Sequence, residues 1–125
     1  MNATTLAKTA YANPGQPTRT LRGTEYEIFA RVTHRLKMAS GMAKTNFPAL
    51  VGALYDNRKL WTTLAVDVAQ PGNELPDTLR ARIFYLNEFT QQHSAKVLKG
   101  TATADVLIDI NTAIMRGLRR EGGEE

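Results

Sequence analysis

The sequence contains no cysteine, which excludes disulfide bonds, thiolate metal ligands and cysteine nucleophiles. No apolar run approaches the roughly 20 residues that a membrane-spanning helix needs. The first twelve residues lack the basic start and continuous apolar block of a signal peptide. From these absences we expect a cytoplasmic protein that does not insert into a membrane.

Acidic residues are missing from residues 28–55, although this stretch contains Arg31, Arg35, Lys37 and Lys44. A positive face of this kind can steer an acidic protein partner or a nucleic acid, and a plain solvated helix face gives the same pattern. The formal net charge is only +4, which supports weak phosphate binding unless a dedicated fold is present. RNA is therefore not expected to be a direct partner.

Catalytic and metal-binding patterns are also missing from the sequence. His34 and His93 are not at metal-ligand spacing, and there is no phosphate-binding glycine loop or nucleophile elbow. Asp105 and Asp109 lie one helical turn apart, but aspartates near a helix start more often interact with the helix dipole. We expect a protein that is not an enzyme and needs no cofactor.

The pattern that is present is helical. A capping box from Thr24 to Glu27 predicts the start of a first helix, with an earlier start near Thr20 as the alternative, and Ser40-Gly41 weakens or ends it. A second helix is predicted after Asn46-Phe47-Pro48, ending at Gln70-Pro71-Gly72-Asn73.

Two further helices are predicted in the second half of the chain. The third starts at Leu75-Pro76-Asp77 and ends at Lys99-Gly100, and the fourth starts near Thr103 or Thr101 with Asp105 in its first turn. His93 falls on the apolar seam of the third helix, either as a neutral core histidine with one hydrogen bond or as a buried switch or ligand.

The short connections predict an all-α fold, a small bundle of three to four antiparallel amphipathic helices with a flexible N-terminal arm. The expected divisions are an arm over residues 1–19, one helical domain over 20–120 and a polar tail over 121–125; Tyr11 is the candidate anchor of the arm. The predicted core consists of Phe29, Val32, Leu50, Leu54, Trp61, Leu64, Leu79, Ile83, Leu86, Ile110 and Ile114.

Several residues break the helical pattern of the second helix and are therefore candidates for function. Arg58 is expected near the middle of the apolar stripe, with Asn57 at its edge, and should have a carboxylate or carbonyl partner unless it extends to solvent from a helix end. Leu60 points away from the stripe, and Trp61 is most simply a core residue.

The later helices have similar exceptions. Phe84 and Tyr85 lie off the main seam of the third helix, where they cover a neighbouring helix or form an apolar docking patch. Asn111 lies beside the stripe of the fourth helix, where it either specifies helix pairing or faces solvent.

Three parts of the chain together resemble a known family. The central part comprises Tyr55-Asp56-Asn57-Arg58-Lys59-Leu60-Trp61-Thr62-Thr63-Leu64, Asp67, Asn73-Glu74-Leu75-Pro76 and Leu79-Arg80. The flanking parts are Glu25-Tyr26-Glu27-Ile28-Phe29 with Val32-Thr33, and Ile108-Asp109-Ile110-Asn111 with Ile114-Met115 and Gly117-Leu118-Arg119. In this order and spacing they resemble the FlaF family of alphaproteobacterial flagellar biosynthesis regulators.

The resemblance implies a cytoplasmic regulator of flagellin synthesis and export that binds flagellin as a secretion chaperone. Its action on flagellin production would oppose that of a second regulator, FlbT. It implies no catalytic residue. The alternatives are regulation through flagellin mRNA, or through FlbT without contact with flagellin. For a partner surface we expect apolar contacts from Leu60, Trp61, Phe84 and Tyr85, and polar positioning by Arg58 and Lys59.

Overall fold

A computed structural model of the protein describes the backbone of residues 17–121 and the side chains of residues 26–117. It contains four α-helices: α1 Pro17–Gly41, α2 Phe47–Val68, α3 Asp77–Leu98 and α4 Asp105–Glu121. Residues 17–121 contain no β-strand, so the all-α prediction is confirmed. None of these four helices combines the length and the apolar content that a membrane span requires.

Local sequence accounts for the boundaries of α2 and α3. The Asn46 side chain accepts a hydrogen bond from the Ala49 backbone N–H (3.3 Å), which caps α2 beside Pro48. Gly72 and Gly100 follow α2 and α3 with φ of 87° and 80°, a left-handed conformation that favours glycine. The predicted start of α2 and the predicted ends of both helices are confirmed.

The predicted start of the first helix is wrong. α1 begins at Pro17, so both Thr24 and Thr20 lie inside the helix. A proline suits the first helical position, because its φ is already helical and its missing N–H would have no intrahelical partner there. Residues 17–19, which were assigned to the arm, therefore belong to α1.

The terminal segments lie outside the described residues. Residues 1–16, with the proposed anchor Tyr11, and residues 122–125 of the predicted tail belong to this group. Glu121 is the last residue of α4.

Successive helices pack against each other in antiparallel pairs. Between α1 and α2, the Phe29 and Trp61 rings meet edge to face (5.6 Å between centroids), and Arg35 forms an ion pair with Asp56 one to two turns further along. Between α2 and α3, the Arg80 Nε donates to the Val68 carbonyl oxygen (3.0 Å). α4 packs chiefly against α1 and contacts α3 over a smaller area, which closes a four-helix bundle.

The core divides into two apolar clusters, one toward each end of the bundle. The cluster near the start of α1 consists of Ile28, Phe29, Leu60, Trp61, Leu64, Val68, Leu75, Leu79, Ile83 and Ile114. The cluster near the end of α1 consists of Leu36, Ala39, Leu50, Ala53, Leu54, Val97, Ala104 and Leu107. The predicted core is confirmed, with Val32, Leu86 and Ile110 partly buried at its edge.

A buried polar layer separates the two clusters and draws at least one side chain from each helix: Thr33, Asn57, Thr90, Ser94 and Asn111. The Asn111 Nδ2 donates to the Asn57 Oδ1 (2.8 Å) and to the Thr33 Oγ1 (3.0 Å). The Trp61 Nε1 donates to the Asn111 Oδ1 (2.8 Å). Asn111 therefore links α4 to both α1 and α2, as the helix-pairing alternative predicted.

Candidate functional site

The six predicted partner residues divide into an exposed and a buried group. Arg58, Lys59, Phe84 and Tyr85 are exposed, Phe84 at 49 % and Tyr85 at 70 %. Leu60 and Trp61 belong to the core cluster near the start of α1 and are 4 % and 0 % exposed. Burial of this degree leaves neither Leu60 nor Trp61 available to a partner in this conformation.

The expectation that Leu60 points away from the core is wrong. It rested on a narrow apolar stripe along the second helix, but α2 packs against both α1 and α3 and is buried over a wider arc. The buried residues of α2 are Leu50, Ala53, Leu54, Asn57, Leu60, Trp61, Leu64, Ala65 and Val68. Leu60 therefore lies within this wider buried arc.

The expected positions of Arg58 and Asn57 are also corrected, because Asn57 is fully buried and Arg58 is exposed. Arg58 does have a carbonyl partner: its Nε donates to the Gln91 Oε1 (3.0 Å). The Gln91 Nε2 donates in return to the Arg58 carbonyl oxygen (3.1 Å), and also to Thr62 and Asn87. Arg58 and Gln91 thus join the solvent-facing edges of α2 and α3.

A shallow cleft of about 390 Å³ lies at this junction. Its lining residues are Tyr55, Arg58, Lys59, Thr62, Thr63 and Gln91. Phe84 and Tyr85 are not among them, so the structure brings Arg58 and Lys59 together but leaves the two aromatic residues elsewhere on α3. The lining offers cations, hydroxyls and one exposed aromatic ring, which suits binding of a polar or amphipathic chain.

Apolar side chains continue from the cleft toward the start of α2. The large exposed hydrophobic residues within the described part of the chain are Met38, Met42, Phe47, Val51, Tyr55, Val66, Phe84 and Tyr85. Five of them lie in the short segment from Met38 to Tyr55, and we call these five the apolar strip.

Helix periodicity and closeness along the chain bring the five residues of the apolar strip together. Phe47, Val51 and Tyr55 recur every four residues and share one side of α2. Met38 lies in the last turn of α1, and Met42 is the first residue of the short turn that leads to α2. Helical periodicity alone would place Phe47 and Val51 with the apolar residues of α2 that face the core, but they are 42 % and 40 % exposed.

His93 packs between Phe89 and the segment that precedes α4. It is partly buried, its Nε2 lies 2.8 Å from the Thr103 carbonyl oxygen, and its ring stacks on Phe89 (5.4 Å). This matches the alternative of a packed histidine with one hydrogen bond. Residues 26–117 contain no group of three or more histidine, aspartate or glutamate side chains placed to hold a metal ion.

The family profile described as flagellar protein FlaF matches residues 7–118, which is most of the chain. The protein belongs to the FlaF family. No curated protein and no solved structure matches the chain. Membership in the FlaF family identifies a flagellar protein, and the match covers all of the elements that build the cleft and the apolar strip.

Proposed function

We propose that this protein is a cytoplasmic regulator of flagellin synthesis and export that binds flagellin as a secretion chaperone and has no enzymatic activity. The observation that carries the proposal is the apolar strip. A closed helical bundle with a complete core still exposes Met38, Met42, Phe47, Val51 and Tyr55 within one short segment. Clustered exposure of this kind is typical of a protein interaction site, whereas single apolar residues on a surface are ordinary.

The mode of binding that fits this surface is the docking of an amphipathic helix. The terminal segments of flagellin are amphipathic helices in the filament and disordered before assembly. Such a segment can lay its apolar side on the strip, while Arg58 and Lys59 in the adjoining cleft orient it. Binding would cover the surfaces through which flagellin polymerises.

Co-purification of this protein with flagellin and with FlbT, separately and together, tests the proposal. We expect a complex with flagellin alone, formed with a negative heat-capacity change because apolar surface is buried as the segment folds. A complex with FlbT but none with flagellin would instead support regulation through FlbT without contact with flagellin.

Varying the salt concentration tests the alternative in which the protein binds flagellin mRNA. The basic stretch from Arg31 to Lys44 is the feature that favours it. Binding to flagellin mRNA should weaken steeply with added salt because counterions are released from the phosphates, whereas apolar docking should change little. A steep salt slope together with mRNA retention would overturn the chaperone proposal.

A further inference from the structure

The border of the apolar strip carries charge of one sign. Residues 28–55 contain no acidic side chain. Among the described side chains of α1, α2 and the turn between them, the exposed cations are Arg31, Arg35, Lys37, Lys44, Arg58 and Lys59. Within the described residues, Arg31, Lys37, Lys44 and Lys59 have no ion-pair partner, which leaves their charges available to a bound molecule.

The acidic residue next to the strip in sequence, Asp56, does not change this sign. Its carboxylate forms an ion pair with Arg35 across the α1–α2 contact. Arg35 reaches it by lying over Gly52, whose missing side chain leaves room for the guanidinium group. Because Asp56 is neutralised within the protein, a partner meets an apolar centre with a basic border.

We infer that the apolar strip binds an amphipathic helix of a partner protein whose polar positions carry aspartate and glutamate. The inference rests on the proposed function and adds to it the charge of the bound segment. From Phe47 to Tyr55 the strip runs for about 12 Å at a rise of 1.5 Å per residue, which matches about two turns of a partner helix. Acidic residues that flank its apolar side would face the unpaired cations.

Two other occupants fit the surface less well. A second copy of this chain would bring the same cations face to face, and like charges across an interface are unfavourable. A nucleic acid would place its phosphates on the cations but leave the methionine and valine side chains of the strip without apolar contacts. The combination of an apolar centre with a basic border favours an acidic amphipathic helix.

Two synthetic peptides of about 20 residues, long enough to form a helix, test the inference with the full-length protein. Both carry the same leucine stripe, and their remaining positions are rich in glutamate in one and in lysine in the other. We expect the glutamate peptide to bind at least about tenfold more tightly at low salt. This ratio should fall toward one near 1 M salt, where the Debye length is about 3 Å.

Matched variants locate the binding surface. Val51→Ser lies in the strip, and Val66→Ser changes another exposed valine of α2 outside the strip. We expect Val51→Ser to weaken the glutamate peptide about tenfold and Val66→Ser to leave its affinity unchanged, with both proteins remaining folded by circular dichroism. Lys44→Glu should lower the ratio of the affinities for the glutamate and lysine peptides, whereas Lys96→Glu on α3 should leave this ratio unchanged.

Equal binding of the two peptides, or equal losses from Val51→Ser and Val66→Ser, would overturn the inference. Binding of polyuridylate or phosphatidylserine vesicles, lost in Val51→Ser, without binding of either peptide would also overturn it. The proposed function fails separately: a protein that prefers the acidic peptide but does not retain flagellin has the inferred surface and a different partner. Retention of flagellin with no preference between the peptides would refute only the charge of the segment.

Discussion

The polar layer inside the bundle and the apolar strip on its surface depart in opposite ways from a simple amphipathic pattern. The layer formed by Thr33, Asn57, Thr90, Ser94 and Asn111 places polar groups where an ordinary bundle packs hydrocarbon. The apolar strip places hydrocarbon where an ordinary bundle meets water. The first departure costs stability unless its hydrogen bonds are complete, and the second costs solubility unless a partner covers it.

The two regions differ in whether groups of the same chain offset the cost of the buried polar atoms or of the exposed apolar surface. The polar layer is compensated within the chain, since Asn111 bonds to α1 and α2, although the Asn57 Nδ2 and the Thr90 Oγ1 have no hydrogen-bond partner among the described residues. The apolar strip has no compensation within residues 26–117. An internal polar network specifies which helices pair and in which register, whereas an exposed apolar surface indicates a partner.

Trp61→Ala should have the largest effect, because it removes both the packing and the hydrogen bond of one buried residue. The fully buried indole packs edge to face on Phe29 and donates to Asn111. We expect a loss of about 3–5 kcal/mol in the free energy of unfolding, measured by urea denaturation. A loss below about 1 kcal/mol with unchanged helicity would show that Trp61 is not the packed residue described here.

Leu60→Ala and Phe84→Ala compare a buried with an exposed member of the predicted partner set. Leu60 is 4 % exposed and Phe84 is 49 % exposed. We expect Leu60→Ala to lower the free energy of unfolding by about 2–5 kcal/mol, and Phe84→Ala to change it by less than about 1 kcal/mol. If both substitutions lowered the free energy of unfolding by less than about 1 kcal/mol, Leu60 would be a surface residue and not a core residue.

Asn111→Leu tests the polar layer without removing an aromatic side chain. Leucine has a similar size, but it leaves the Trp61 N–H and the Asn57 Oδ1 without their bonds to Asn111. We expect a cost of about 1–3 kcal/mol, since a buried donor left unpaired loses its hydration without compensation. In a Trp61→Phe background, which lacks the indole donor, the same substitution should cost less, and strict additivity would show that the Trp61–Asn111 bond contributes nothing.

The sequence predicted the elements of the bundle more accurately than the direction of individual side chains. Asn46, Pro76 and the glycines after α2 and α3 act through local backbone geometry, so their neighbours in sequence are enough to identify the boundaries. The start of α1 was missed because a capping-box pattern beginning at Thr24 also fits inside a helix that is already formed. A local capping pattern can therefore identify a helix boundary, but it cannot exclude that the helix began earlier in the chain.

Exposure depends on neighbours that are distant in sequence, and that is where prediction failed. The same wide burial of α2 that covers Leu60 leaves Phe47 and Val51 at the margin of the contact. Which helices flank α2, and at what angle, follows from packing of the whole bundle and has no local signature. Val51 is therefore a candidate that sequence periodicity assigned to the core, and only the arrangement of α1 and α3 shows it to be exposed.

Gly52→Ala should have the smallest effect and should increase stability. Gly52 lies inside α2, where alanine is more favourable than glycine by about 0.5–1 kcal/mol. A Cβ there would come within 3.0 Å of the Arg35 Nη2, the far end of a flexible side chain that can move aside. The Arg35–Asp56 pair is partly exposed, so disturbing it should cost less than about 1 kcal/mol. Thermal denaturation of Gly52→Ala beside Gly117→Ala, where the added Cβ meets only Leu79 at 3.8 Å, separates the helix gain from the ion-pair loss. An Arg35→Gln background removes the guanidinium group that the added Cβ would meet. If Gly52→Ala still destabilises the protein in that background, the close contact is with the packed helices and not with the arginine. The conclusion that Gly52 makes room for Arg35 would then be wrong.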